Sequence, residues 1–417
     1  MRDAPTAGPA GRWAVALAGA VSLAVAMGIG RFAFTPLLPM MLDDGVVDLQ
    51  AASWLASANY LGYLAGALLC TFQPWLWARV PGLPAIHAPG LVRGGLVATV
   101  LLTLGMALPV PALWPTLRFA AGVASAVVFV FISGWCLAQL ARQGATALGG
   151  VMYTGPGAGI IASGLAAGAM VSWQWRAATG WLVFGALAGL LTAGVWRIFG
   201  RGEAPAAGPS TGASATSGAA PGQPGRAEIG LMALAYGLAG FGYIVTATFL
   251  PVIARQALPG SPWLDFFWPL FGTGVVAGAL LAARWHVGGD LRRLLAGCYI
   301  VQALGIAASV WSPTLGGFVI GSLLLGLPFT AITFYAMREA RRLRPVHAAS
   351  TMGLLTALYG VGQIVGPPMV ALLLQRTATT AAGFTLALQI AAAALLTGAL
   401  MYLWLMRAYP LDRAERS

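Results

Sequence analysis

Twelve long apolar stretches dominate this 417-residue sequence and limit what it can fold into. A helix needs about 20 mostly apolar residues to cross a bilayer, and each stretch is long enough to do so. We therefore predict an all-α integral membrane protein with twelve transmembrane helices. The predicted spans are 13–41, 50–72, 91–108, 112–140, 146–170, 177–199, 229–253, 263–283, 294–311, 315–337, 348–374 and 381–406.

The composition agrees with a membrane location. Only 8% of the residues are charged and 59% are hydrophobic, whereas soluble domains carry about 25% charged residues. The three cysteines fall inside predicted spans, so they are expected to be small core residues and not a disulfide framework. The three histidines lie far apart, in or beside predicted loops. The sequence has no His and Cys residues at the spacing of a metal site, no Ser-His-Asp set and no phosphate-binding loop. We therefore expect no enzyme activity, cofactor or metal.

One long hydrophilic insert divides the spans into two groups of six. Residues 200–227 are almost wholly Gly, Ala, Pro, Ser and Thr, a composition that cannot bury a core and predicts a flexible linker. The expected organisation is an N-terminal six-helix bundle over 1–199, the linker over 200–227, and a C-terminal six-helix bundle over 228–417.

The arginines predict the orientation. With the N-terminus inside, 18 of the 23 arginines fall in cytoplasmic segments, and only Arg176, Arg255 and Arg376 fall outside. This excess follows the positive-inside rule, so both termini and the linker should be cytoplasmic. The same rule explains the net charge of +12 without a nucleic-acid partner.

A motif in the first span returns in the seventh. Gly28-Ile-Gly-Arg-Phe-Ala-Phe-Thr-Pro-Leu-Leu-Pro39 reappears 212 residues later as Gly240-Phe-Gly-Tyr-Ile-Val-Thr-Ala-Thr-Phe-Leu-Pro251, with Tyr243 at the position of Arg31. The pairs 65–69 with 277–281 and 155–156 with 366–367 have nearly the same offset. Ordered matches at one offset predict two parallel repeats, an architecture of transporters whose site lies between the halves.

These features resemble the major facilitator superfamily. The first- and seventh-span motifs and Ser57-Ala-Asn-Tyr-Leu-Gly-Tyr63 are similar to the bacterial YbfB/YjiJ-type transporters. The resemblance implies the major facilitator fold, with the first, fourth, seventh and tenth spans lining a cavity. Arg118-Phe-Ala-Ala-Gly122 resembles the fourth-span motif associated with proton coupling. Gly155-Pro-Gly-Ala-Gly159 resembles the fifth-span motif of proton-exchanging exporters.

Two arginines fall within predicted spans, where a charge is costly and usually functional. Arg31 is interpreted as a cavity cation that binds an anionic group; the alternative is pairing with Asp43 or Asp44 near the outer surface. Arg118 is either a coupling residue or an interhelical hydrogen-bonding strut.

Further residues of these motifs complete the predicted substrate-binding or coupling set. Asn59 and Tyr63 share a helix face, and hydrogen bonding between the halves is the alternative role for the seventh-span residues. The neighbouring Gly62 and Gly66 are predicted to serve helix packing. The set is Arg31, Thr35, Asn59, Tyr63, Arg118, Tyr153, Tyr243, Thr246 and Gln363.

Carboxylates are missing from the centre of every predicted span. Glu228 and Glu339 fall at cytoplasmic helix ends and Asp265 at an outer one. Coupling through these acids, exchange of anions and uncoupled uniport therefore all remain open. The arginine-rich run 338–344 is predicted to be a solvated cytoplasmic loop.

We therefore predict a secondary active transporter of small molecules that works by alternating access in the bacterial inner membrane. Export is slightly favoured by the fifth-span motif, and an anionic or organic-acid-like solute by the arginines. Membrane lipid and the solute are the expected partners, with protons as a further partner if transport is coupled to them, and a monomer is expected. The alternative is a non-transporting receptor or scaffold that retains the transporter fold.

The orientation can be tested with reporter fusions at Pro209 and after Ser417. Because the arginine asymmetry sets the topology, both fusions should be active only as cytoplasmic reporters. Periplasmic reporter activity at either site would contradict the assignment.

Overall fold

Within the residues that the structure describes, twelve helices are long and apolar enough to span a membrane, as predicted. The structure, a computed structural model, describes residues 11–80, 87–200, 226–261, 263–284, 290–344 and 348–410, and contains no strand within them. Residues 201–225 of the predicted linker and both chain ends lie outside the described residues. Numbered in chain order, the spans are α1 Arg12–Asp43, α2 Leu49–Gln73, α3 Ala88–Gly105, α4 Pro111–Arg142, α5 Thr146–Ser172, α6 Ala177–Val195, α7 Ala227–Ala257, α8 Leu264–Arg284, α9 Leu291–Trp311, α10 Leu315–Leu343, α11 Thr351–Arg376 and α12 Thr380–Ala408.

Successive spans run in opposite directions, which defines two ends of the bundle. The terminal end holds the start of α1 at Arg12 and the end of α12 at Ala408. The opposite end, here called the Asp43 end, holds the α1–α2 connection. The helix of α2 continues beyond the apolar span to Arg79 at the terminal end.

The two halves pack their second and fourth spans in the same way. In the first half, a Cβ on Gly62 of α2 would overlap the carbonyl of Phe119 in α4. In the second half, a Cβ on Gly278 of α8 would overlap the carbonyl of Leu327 in α10. Glycine at these places lets the helix backbones approach closely, so the predicted packing role of this glycine pattern is confirmed.

The first and fifth spans of each half also meet at glycines. A Cβ on Gly28 of α1 would overlap the backbone of Gly159 in α5. A Cβ on Gly240 of α7 would overlap the carbonyl of Tyr359 in α11. Since Gly28 and Gly240 occupy equivalent positions of the sequence repeat, each half uses the same glycine for the same helix pair.

α1 is not a continuous α-helix. Its first segment, Arg12–Leu23, passes into a wider π-helical turn over Ala24–Ile29. There the amide of Gly30 donates to the carbonyl of Val25 over 2.8 Å, five residues back. A turn follows, and the α-helix resumes over Phe34–Asp43. Such wide turns free backbone groups and occur often at functional sites, and Arg31 lies in the turn that directly follows this one.

A buried ion cluster joins the second half at the terminal end. Arg292 of α9 is 1% exposed and lies 2.9 Å from Asp290 and 3.3 Å from Glu228 of α7. Glu339 of α10 is fully buried, lies 3.7 Å from Arg292 and accepts hydrogen bonds from Arg342. The prediction of a solvated loop over 338–344 was therefore wrong, because the helix continues to Leu343 and turns Glu339 and Arg342 into this cluster.

Arg292→Gln tests the contribution of the cluster to stability. Removing Arg292 takes away the cation that pairs with the buried Glu228 carboxylate, and breaking a buried ion pair costs roughly 3–5 kcal/mol. We expect a lower thermal unfolding temperature in detergent, measured by tryptophan fluorescence. The matched control is Arg293→Gln, since Arg293 is exposed on the same helix. Equal unfolding temperatures of the two variants would contradict the assignment.

Candidate functional site

Arg31 lies between the two halves and is only 3% exposed. Its Nη2 donates a hydrogen bond to Oε1 of Gln363 in α11 over 2.6 Å. Nε2 of Gln363 donates in turn to the hydroxyl of Tyr243 in α7 over 2.5 Å. Because Tyr243 is the repeat counterpart of Arg31, this chain of bonds links equivalent positions of the two halves. The structure thus brings three of the predicted site residues together.

Aromatic rings surround the Arg31 guanidinium. Its Cζ lies 4.1 Å from the ring centroid of Tyr63 and 5.3 Å from those of Phe32 and Tyr60. On the side of the second half, the ring of Phe329 lies 5.0 Å from that of Tyr243. Ring faces attract a cation, but they bring no negative charge, so the site keeps a net positive charge.

No carboxylate among the described residues lies within ion-pair distance of Arg31 or Arg118. Asp44, one of the partners considered for Arg31, instead accepts a hydrogen bond from the amide of Ala177 over 2.7 Å. Nε of Arg31 is buried without a hydrogen-bond partner. An unpaired buried cation is expensive and typically marks a site for an ion or solute.

Arg118 binds the backbone of the irregular turn that carries Arg31. Its Nη1 donates to the carbonyl of Gly30 over 3.3 Å, and its Nη2 to the carbonyl of Arg31 over 3.1 Å. These are carbonyls beside the wide turn, where regular helical bonding is interrupted. Asn59 supports Arg118 in turn, by donating its Nδ2 to the Arg118 carbonyl over 2.9 Å. The contacts are those of the interhelical strut, whereas the coupling role stays a prediction.

Three more side-chain hydrogen bonds join the halves, all between Arg31 and the Asp43 end. One of them pairs Thr35 with the carbonyl of its own repeat counterpart, Ala247, which places both beside the axis that relates the halves. The bonds are Thr35 Oγ1 to Ala247 O at 3.1 Å, Tyr60 OH with Thr248 Oγ1 at 2.9 Å, and Ser57 Oγ to Ile364 O at 2.9 Å. Together they tie α1 and α2 to α7 and α11.

The two remaining predicted site residues are Thr246 and Tyr153. Thr246 is buried, and its Oγ1 has no hydrogen-bond partner among the described residues. Tyr153 sits at a break in α5 between Gly149–Met152 and Gly155–Ser172, and its ring packs 6.4 Å from that of Phe129.

The predicted set omitted several residues that complete the site. Ser57, Tyr60 and Thr248 belong to the motifs quoted from the sequence, so motif membership was the available signal. Ser125 belongs to none of these motifs, and its role is seen only in the structure. Its hydroxyl donates to the carbonyl of Ala26 over 2.6 Å, inside the wide turn. Only the three-dimensional position of α4 against α1 shows that role.

Arg118→Gln should destabilise the irregular turn. The variant loses hydrogen bonds from a charged donor, each of which contributes about 1.5–3 kcal/mol. We expect a lower unfolding temperature and a weaker transport activity of the folded fraction, with partial recovery in Arg118→Lys. Arg142→Gln is the control, because Arg142 is exposed at the end of the same helix. A variant at 118 that is as stable and active as this control would contradict the strut.

Comparisons with solved structures support the fold. A crystal structure of the nucleoside transporter NupG matches with a TM-score of 0.65 at 13% sequence identity, covering 95% of this chain and 99% of NupG. A crystal structure of a point mutant of NupG matches with a TM-score of 0.71 at 12% identity, covering 94% and 99% of the two chains. At these identities the likeness concerns the fold alone.

Sequence comparisons identify the family. No curated protein sequence matches the chain. The sequence profile described as "Uncharacterised MFS-type transporter YbfB" matches residues 23–403, which spans both halves and every residue of the site. The chain therefore belongs to the YbfB-like family of major facilitator superfamily transporters.

Proposed function

We propose that this membrane transporter moves an anionic solute, such as an organic acid, and that Arg31 binds the anionic group. The observation that carries the proposal is the buried Arg31 guanidinium, which is bonded to a neutral amide and faced by rings, without a carboxylate among the described residues. The guanidinium fork matches the two oxygens of a carboxylate. A bound anion would supply the negative charge that no described residue provides near Arg31.

The position of Arg31 suits alternating access, in which one half rocks against the other around a site between them. The inter-half hydrogen bonds of Thr35, Ser57 and Tyr60 close the path from Arg31 to the Asp43 end. Tyr63 and Tyr359 are only partly buried and lie on the terminal side of the site. These contacts support access from the terminal end in this conformation.

A nucleoside is the alternative solute, since NupG is named as a nucleoside transporter. The fold likeness does not extend to the substrate at 12% identity. The uncompensated charge at Arg31 favours an anion over a neutral solute, because only an anion relieves the cost of the buried cation.

The contacts of the buried glutamates affect which transport mechanism is favoured. Glu228 and Glu339 are bound to arginines in the ion cluster of the second half. This arrangement favours exchange of anions or uniport over coupling through these acids. Export remains the favoured direction, on the Gly155-Pro156 motif, and we propose a monomer in the bacterial inner membrane with both termini cytoplasmic.

Arg31→Gln should abolish transport while folding and membrane insertion stay intact. Arg31→Lys should recover only part of the activity, since an ammonium lacks the fork geometry. The measurement is uptake of acetate, succinate, benzoate and uridine into proteoliposomes, with and without a pH gradient. Arg376→Gln is the control, because Arg376 is an exposed arginine at the end of α11.

A structural role for Arg31 predicts a different pattern. Arg31→Gln would then lower the yield or the unfolding temperature, and the protein that folds would transport normally. Uptake of uridine alone, unaffected by Arg31→Gln, would support the neutral solute and reject the anion site.

A further inference from the structure

We infer that Gln363 is an internal competitor for the anion site: its Oε1 occupies the place on Arg31 that a substrate oxygen takes. The inference rests on the proposed function, because it assumes that Arg31 receives an anion. It assigns a specific task to a residue whose amide would otherwise be one more buried hydrogen-bonding group.

The geometry of Gln363 fits a stand-in for substrate. The residue is 2% exposed, and its Oε1 lies 2.6 Å from Nη2 of Arg31, a distance typical of hydrogen bonds from charged donors. Its Nε2 is held by Tyr243, so the amide oxygen is oriented towards the guanidinium. The amide nitrogen of Gln363 is therefore bonded within the second half, and the amide oxygen is bonded to the first half.

The backbone of Gln363 is fixed within the second half. A Cβ on the adjacent Gly362 would overlap the carbonyl of Gly237 in α7, and one on Gly366 would come 2.5 Å from Ile244. α11 and α7 are therefore packed too closely to slide apart easily. When the halves rock, Gln363 must move with the second half, and its bond to Arg31 must break.

A carboxylate can replace the amide because it offers charge as well as an acceptor. Charge-assisted hydrogen bonds are roughly twice as strong as neutral ones, so the exchange is favourable at Arg31. Once the carboxylate binds, the Arg31–Gln363 bond between the halves is gone. The empty transporter stays latched because separating the halves would leave the buried guanidinium unpaired. The loaded transporter reorients faster, which favours exchange of anions over net flux.

Two substitutions separate the competitor from a purely structural amide. Gln363→Glu places a tethered carboxylate on Arg31 and should block the site. Gln363→Met keeps the length of the side chain but removes the competing oxygen and should free the site. Gln302→Met is the matched control: Gln302 is also buried, at 1% exposure, and lies in the second half, but its Nε2 donates to the carbonyl of Leu325.

The first readout needs no ligand. Spin labels at Gln50→Cys and Gln375→Cys, in a background with the native cysteines replaced by alanine, report the distance between α2 and α11 at the Asp43 end. Both positions are exposed. We expect Gln363→Glu to enrich the short distance, because its ion pair strengthens the latch, and Gln363→Met to enrich longer distances. Gln302→Met should leave the distribution unchanged.

The second readout is binding of benzoate, followed by the shift of the unfolding temperature. Removing an internal competitor raises the apparent affinity, so Gln363→Met should bind benzoate about tenfold more tightly than the wild type. Gln363→Glu should bind it at least about tenfold more weakly. Gln302→Met should lower stability without changing the affinity.

The outcomes separate this inference from the proposed function. Unchanged distances and affinities in both Gln363 variants, or weaker benzoate binding in Gln363→Met, would overturn the competitor while leaving anion transport intact. If the wild type and Gln363→Met bind neither benzoate, acetate nor succinate, the proposed function fails, and the competitor fails with it even where the distance changes occur.

Discussion

The buried positive charge of Arg31 is the constraint on which the rest of the site depends. A guanidinium in the middle of a membrane protein must be hydrogen-bonded, screened by rings or matched by a negative group. Here the first two occur, through Gln363 and Tyr63, and the third does not among the described residues. The wide turn of α1 places the arginine, and Arg118 binds the carbonyls beside that turn. Under the proposed function, an anionic solute supplies the negative charge that balances the Arg31 guanidinium.

The two repeats share their packing but differ in their polar chemistry. Equivalent glycines bring equivalent helices together in both halves, as Gly28 and Gly240 show. The position of Arg31 is taken by Tyr243 in the second half, and the ion cluster around Arg292 belongs to the second half. Two halves with the same packing can rock against each other as rigid bodies. An asymmetric substrate needs binding residues that differ between the halves. Gln363 connects the two kinds of position, because it bonds to Arg31 and to Tyr243 at once.

Much of the fold could be predicted from the sequence, because bilayer thickness and the cost of buried charge act on short segments. The spans, the repeat and the importance of Arg31 follow from such local patterns. The hydrogen-bond partners of Gln363 and Arg118 could not, since they depend on which helices meet across the bundle. The run 338–344 was misjudged for the same reason: its arginines indicate a solvated loop, but Arg292, distant in sequence, draws Glu339 into the interior. The wide turn at Ala24–Ile29 also left no pattern that distinguishes it from an ordinary helix.

The most direct measurement of the central claim is an experimental structure with a bound carboxylate, chosen from the acids that the proteoliposomes accumulate. The account predicts both carboxylate oxygens within hydrogen-bonding distance of the Arg31 guanidinium, with the Gln363 amide displaced from it. A carboxylate bound elsewhere, with the 2.6 Å bond between Arg31 and Gln363 still present, would contradict the account.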